Sequence, residues 1–139
     1  MRSFVRGLTV AYSTGGRKSW ERFGRPVNEA WRYVCSRYDC SKNGFLAWKL
    51  GLDEKPARRA DAAAVREALA RKAEEMEMTQ GEVQMLALWE ELLRLKKEGD
   101  KQVMKHIKAL LKMWNEYVRE QSKTALRKGK RAKAAGMLV

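Results

Sequence analysis

The feature that most limits the fold of this chain is a regular apolar spacing in its last third. Apolar side chains recur there at alternating four- and three-residue steps that end on a glutamine: Val103, Ile107, Leu110, Trp114, Tyr117 and Gln121. An α-helix brings residues at this spacing onto one face. Leu111 and Val118 are expected to widen the stripe. The pattern predicts a long helix with a narrow apolar seam for packing on another helix.

Comparable spacing and helix-start residues predict three further helices. Pro26 fits the first turn of a helix, where its missing N–H costs nothing. Asp61 is expected to cap the next helix, and Thr79 with Glu82 matches the capping box. Asp100 can cap the last helix. The first three predicted helices cover about residues 26–39, 61–78 and 80–98, and the fourth follows Asp100. A short apolar segment from Phe45 to Leu52, which could form a brief helix, lies between the first two.

Composition agrees with an all-α fold and sets the domain organisation. The chain has only two prolines, and strong helix formers dominate residues 60–135. We predict about four amphipathic helices in one domain of residues 26–126. An irregular basic N-terminal arm (1–25) precedes this domain and a basic tail (127–139) follows it. Arg, Ser and Thr residues without an acid before Glu21 are typical of a mitochondrial import signal, here expected to be retained.

The net charge of +13 is unevenly distributed along the 139 residues. Residues 1–49 carry a surplus of +7, residues 50–98 carry −2 and residues 99–139 carry +8. A surplus of this size selects anionic partners: nucleic acid, anionic lipid or an acidic protein surface. The layout predicts two contact regions that flank a middle region packed on itself or on another protein.

Residue patterns for catalysis or metal binding are not found in the sequence. Cys35 and Cys40 lie five residues apart, which is not one helical face, and we predict two reduced, buried thiols. The single histidine, His106, stands among lysines and is expected to face solvent. No apolar run approaches the roughly 20 residues of a membrane span. We therefore predict a non-enzyme with no cofactor, metal, small-molecule substrate or transmembrane helix.

Two short motifs resemble a known family. Gly44-Phe45 precedes Lys49-Leu50-Gly51-Leu52, and Ala68-Leu69-Ala70-Arg71 follows after fifteen residues. This arrangement is similar to that of the ubiquinol–cytochrome c reductase binding proteins, the small matrix-side accessory subunits of respiratory complex III. The matched stretch spans about 50 residues, and Lys72-Ala73 stands where the family has Leu-Pro.

The resemblance implies a peripheral subunit on the matrix side of the mitochondrial inner membrane. Such a subunit would contact cytochrome b and the large core subunits, support assembly and bind no redox centre. Anionic headgroups, cardiolipin in particular, would also suit its charge. The predicted docking residues come from the motif, the apolar stripes and the basic tail: Trp31, Lys49, Leu50, Leu52, Trp114, Tyr117, Lys128 and Arg131.

Other functions remain open at this point. The chain could be an accessory subunit of another respiratory complex or of the ATP synthase. Its charge also fits an organellar ribosomal or RNA-binding protein, in which lysines neutralise phosphates and tryptophans stack on bases. Trp31, Trp89 and Trp114 lie on apolar stripes, however, and this position favours core packing over base stacking.

Overall fold

The computed structural model describes the backbone of residues 2–13 and 20–134 and the side chains of residues 2–13 and 21–123. Within these ranges the chain is all-helical and has no β-strand, which confirms the predicted fold class. The expected number of about four helices was too low. Six α-helices and one π-helical turn (Trp20–Gly24) are present: α1 Arg2–Ser13, α2 Arg25–Tyr38, α3 Lys42–Lys49, α4 Ala62–Met76, α5 Gln80–Lys97 and α6 Val103–Ala134.

The predicted capping residues begin the helices as expected. The Asp61 carboxylate accepts a hydrogen bond from the Ala63 N–H, and the Thr79 hydroxyl accepts one from the Glu82 N–H. Asp100 accepts bonds from the first N–H groups of α6. These side chains satisfy donors that a helix start leaves unpaired. The sequence thus located the starts of α4, α5 and α6 to within one or two residues.

Helix α5 lies at the centre of the fold. It contacts α1, α2, α3, α4 and α6, so nearly every other element packs on it. Its buried side chains, including Leu88, Leu92 and Leu95, recur at three- and four-residue steps. One side of this helix therefore holds the bundle together.

Residues 2–13, which were predicted to belong to an irregular arm, are helical instead. They form α1, which packs on α5 and α6 and buries Val5, Leu8 and Ala11 completely or nearly so. The spacing of the apolar residues in this segment is that of a helix facing a core. The hydrophobic core consequently begins before residue 26.

Helix α6 turns a different side toward the core than its spacing suggested. Val103, Ile107 and Leu110 are buried as predicted, whereas Leu111 and Val118 are 41% and 40% exposed. Met113 is buried in their place, and so is His106, which is only 7% exposed and not solvent-facing. Since α6 packs against α1, α2 and α5 together, its buried arc is rotated away from Leu111.

His106 lies in a small polar cluster between α2 and α6. Its ring lies 4.8 Å from that of Tyr33, whose hydroxyl donates a short hydrogen bond to Asp100. Burial, then the hydrogen bond to Asp100, raises the pKa of Tyr33 to about 12. Burial also lowers the pKa of His106 below its ordinary 6.5, and nearby Lys105 adds to this effect, with Glu29 and Asp100 opposing it.

The lowered pKa of His106 predicts acid sensitivity. Below the ordinary value of 6.5 the unfolded chain takes up a proton that the folded chain still resists. The free energy of unfolding should thus have its full value above pH 6.5 and should decrease as the pH falls through 6.5. Urea unfolding at a series of pH values measures this, with His106→Gln as the comparison. Parallel pH profiles of the two proteins would contradict the prediction.

Candidate docking surfaces

A buried carboxylate joins three helices beside the Lys49–Leu52 motif. The side chain of Glu91 on α5 is 0% exposed. Its oxygens accept hydrogen bonds from Arg94 Nη2 at 2.6 Å and from the Tyr38 hydroxyl, the latter a short contact. Lys49 Nζ forms an ion pair with the same carboxylate at 3.1 Å. A buried charge is stable only when partners of this kind compensate it. Glu91 thereby ties α5 to the end of α2 and to α3.

Aromatic rings complete the surroundings of Lys49. Its Nζ lies 4.0 Å from the centroid of the Trp48 ring and 5.7 Å from that of Phe45. A cation above an aromatic face is attracted by the ring's electron density. Lys49 is therefore held by a carboxylate and two rings, although part of its side chain reaches solvent. The motif lysine has a defined position at the protein surface.

An open groove of about 570 Å³ lies next to this cluster, between α3, α4 and α5. Its floor is apolar and its rim carries charged side chains. The apolar lining residues are Leu46, Leu50, Met76, Val83, Leu86 and Ala87. The charged ones are Lys49, Lys72, Glu90, Glu91 and Arg94. We call this feature the motif groove, because Lys49 and Leu50 of the predicted docking set line it.

The segment after α3 is fixed close to that helix by Gly44. The Ser41 N–H donates to the Ala57 carbonyl oxygen at 3.2 Å. A Cβ atom on Gly44 would lie 1.7 Å from the same oxygen, so a side chain larger than glycine does not fit. This close approach explains a glycine just before the motif. Leu52, further along the segment, is 41% exposed.

The outer face of α6 forms a second surface. It carries Lys108, Leu111, Lys112, Val118 and Arg119, all of them exposed. Glu116 lies beside them and lines the same shallow depression as Lys108, Lys112 and Arg119. Its charge is compensated by Arg22, which binds Glu116 at 3.4 Å and Glu120 at 2.6 Å. The hydrogen bond to Glu120 raises the pKa of Arg22. We call these five residues the α6 outer face, and they present cations and aliphatic side chains together.

The remaining predicted docking residues lie in the core, at half-buried positions, or outside the described side chains. Trp31 is 6% exposed, packs edge-on against Phe45 and is covered by Lys42, whose Nζ lies 4.9 Å from its ring. Trp114 and Tyr117 are half-buried, with their rings 6.0 Å apart. The side chains of Lys128 and Arg131 lie outside the described residues.

Glu91, Arg94 and Tyr38 were not predicted as site residues from the sequence. A detectable signal existed for Glu91, because it falls between Leu88 and Leu92 on the apolar stripe of α5. An acid on such a stripe indicates a buried charge that needs partners. The identity of Lys49 and Tyr38 as partners depends on the tertiary structure, since they are 42 and 53 residues away.

Among the described helices, none has both the length and the hydrophobicity required to cross a bilayer. Comparison with known proteins finds no match, either to a family model, to a curated sequence or to a solved structure. The assignment of a function consequently depends on the surfaces described above and on the two sequence motifs.

Proposed function

We propose that this protein is a non-catalytic accessory subunit that docks on a larger complex through the motif groove. The host we propose is respiratory complex III, on the matrix side of the mitochondrial inner membrane, where the chain supports assembly and stability. Cytochrome b and the core subunits are the partners that the family resemblance implies. An accessory role in another respiratory complex or in the ATP synthase is the alternative.

The observation that carries this proposal is the coincidence of the resembling motif with an open apolar groove. Lys49 and Leu50 line the groove, and Leu52 is exposed beside it. A concave surface with an apolar floor and a charged rim suits a helix or loop of a partner protein. Leu50 and Leu86 are only partly buried, so a partner could still cover them.

Preorganisation of the groove supports the same role. Glu91 holds Lys49 and Arg94 in place before any partner arrives. Groups that are already ordered lose less conformational entropy on binding. A rigid rim of this kind favours a stable contact with one partner over adaptable contacts with many.

The positions of the tryptophans weigh against the RNA-binding alternative. Trp31 and Trp89 are buried, and Trp114 packs against α1. Bases stack on exposed rings, and none of these three rings is open in this way. Trp48 is half-buried and already carries Lys49 on one side. The positive charges of the chain are available to bind RNA phosphates, but these tryptophan rings are not available for stacking on bases.

Reversing one charge on the rim should separate docking from folding. Lys72 is exposed on α4 and lines the groove, so Lys72→Glu places an acid where we expect the partner. We expect this variant to lose co-migration with ubiquinol–cytochrome c reductase activity on native gels after mild-detergent extraction. The free energy of unfolding should change by less than about 0.5 kcal/mol, as is usual at exposed sites.

Arg66→Glu is the matched control, because Arg66 is exposed on the same helix but does not line the groove. It changes the net charge by the same amount and should leave co-migration intact. Equal loss in both variants would indicate dependence on total charge and would contradict docking through the groove. Migration of the wild-type protein with another respiratory complex would favour the alternative host, and migration with ribosomal RNA would exclude both.

A further inference from the structure

We propose that the α6 outer face rests on an anionic lipid bilayer. This adds a second contact surface to the protein and names its partner as the headgroup layer. It depends on the proposed function only for the cellular location, since binding to lipid can be measured on the isolated chain.

Helical geometry places the exposed residues in one band. At about 100° per residue, Lys108, Lys112 and Arg119 fall close together, and Leu111 and Val118 follow along one edge of the same band. From Lys105 to Lys123 the helix runs for roughly 27 Å at about 1.5 Å per residue. Lys105 and Lys123 are exposed at its two ends. The band is therefore long and continuous.

The charge on this band is not neutralised within the described part of the chain. No carboxylate there lies within 4.0 Å of the charged nitrogens of Lys108, Lys112 or Arg119, and the nearby Glu116 and Glu120 are bound by Arg22. The sequence adds Arg127, Lys128, Lys130, Arg131 and Lys133 beyond it. An array of cations on one side of a helix is attracted to an anionic surface.

The aliphatic residues favour lipid over nucleic acid. The large hydrophobic residues that stand out as exposed in the described region are Val10, Leu52, Leu111 and Val118, and none of them is aromatic. Two of the four lie on this band. Phosphates of RNA would attract the lysines but give Leu111 and Val118 nothing to bind. A bilayer offers anionic phosphates and, just beneath them, an apolar layer for these two side chains.

Vesicle co-sedimentation of the full chain tests this inference. The protein should bind vesicles of phosphatidylcholine mixed with phosphatidylglycerol, and bind vesicles of phosphatidylcholine alone weakly or not at all. Lys108→Gln with Lys112→Gln should weaken partitioning about thirtyfold, because each lysine near an anionic surface contributes about fivefold. Leu111→Ser with Val118→Ser should weaken it about tenfold at unchanged charge.

The control variant removes two lysines elsewhere. Lys96 and Lys97 are exposed at the end of α5, and replacing both by glutamine should reduce partitioning much less. An equal reduction would show that only net charge matters and would overturn the assignment to α6. Wild-type binding to single-stranded RNA without binding to anionic vesicles would overturn it in favour of nucleic acid. Circular dichroism of each variant verifies that the helices remain.

The two proposals fail in different ways. Lys72 lines the motif groove and belongs to α4, not to α6. Lys72→Glu should therefore leave vesicle binding within about twofold of wild type. Absence of co-migration with complex III, with vesicle binding intact, would reject the host and keep the lipid surface. The reverse result would reject the lipid surface alone.

Discussion

Replacing Glu91 by glutamine should lower the free energy of unfolding by about 3–5 kcal/mol, the usual cost of removing one partner from a buried ion pair. The side chain is 0% exposed, and both Lys49 and Arg94 direct their charges at it. Glutamine keeps the volume but removes the negative charge, so Lys49 loses its counter-ion and Arg94 keeps only Glu98, which it binds at 2.5 Å. Urea denaturation monitored by circular dichroism measures the loss.

Glu90→Gln is the matched control for this experiment. Glu90 is the neighbouring residue on α5 and is exposed, so the same substitution there should change stability by less than about 0.5 kcal/mol. The variant Tyr38→Phe removes the hydrogen bond that the hydroxyl donates to Glu91 and the one it accepts from Arg94, and should cost about 1–2 kcal/mol. In the Glu91→Gln background the Tyr38→Phe substitution should cost less, because Tyr38 and Glu91 belong to one hydrogen-bond network. Equal effects of Glu90→Gln and Glu91→Gln would contradict a structural role for the buried carboxylate.

Glu91 also connects stability to the proposed docking. Its partners include Lys49, which lines the motif groove, so loss of the carboxylate should loosen the rim as well as the fold. Lys72→Glu has no such partner in the described region and acts on the groove surface alone. Comparison of the two variants separates loss of docking caused by a less ordered groove from loss caused by a changed rim charge.

The sequence predicted the starts of four helices but not the way in which they pack. Caps and spacing are local, so Asp61, Thr79 and Asp100 were recognisable without any tertiary information. The side of α6 that faces the core depends on how three other helices surround it. Leu111 was therefore predicted to extend the seam but is exposed, and His106 was predicted to be exposed but is buried.

The cysteine pair shows the same limit at a helix end. Five residues along a continuous helix do not share a face, yet α2 ends at Tyr38 and Asp39 adopts a left-handed conformation with φ of 49°. The Cys40 N–H then donates to the Cys35 carbonyl at 3.1 Å, as in a Schellman turn. Burial raises the pKa of both thiols, that of Cys40 to about 12, and the neighbouring Cys35 thiol adds to the shift of Cys40. This turn at the end of α2 brings the two cysteines together, which the residue spacing of a continuous helix does not predict.

Of the candidate sites, the sequence predicted some members without their arrangement. Lys49, Leu50 and Leu52 were selected by family resemblance, and the first two do line one groove. The other lining residues come from α4 and α5, whose approach to α3 no local pattern specifies. The basic charge of the last third was evident from composition, but its combination with exposed aliphatic residues depends on the rotation of α6.

The second large effect is expected where Trp114 meets Gly7. A Cβ atom on Gly7 would lie 2.0 Å from Cζ3 of the indole, and Phe4 on the same helix packs edge-on against that ring with the centroids 5.5 Å apart. Trp114 thus attaches α1 to α6. We expect Trp114→Ala to lower the free energy of unfolding by about 3 kcal/mol through the lost contacts and the cavity left behind.

Gly7→Ala should cost about 2 kcal/mol by itself, because the added methyl overlaps the ring. When the ring is absent, the methyl has room, and alanine favours a helix over glycine by about 1 kcal/mol. The double variant should therefore be no less stable than Trp114→Ala alone, about 2–3 kcal/mol short of additivity. Leu111→Ala, an exposed residue of the same helix, is the control and should change little. Additive losses would reject the contact. Unchanged stability of Trp114→Ala with lost co-migration would instead identify Trp114 as a partner anchor, as the sequence alone allowed.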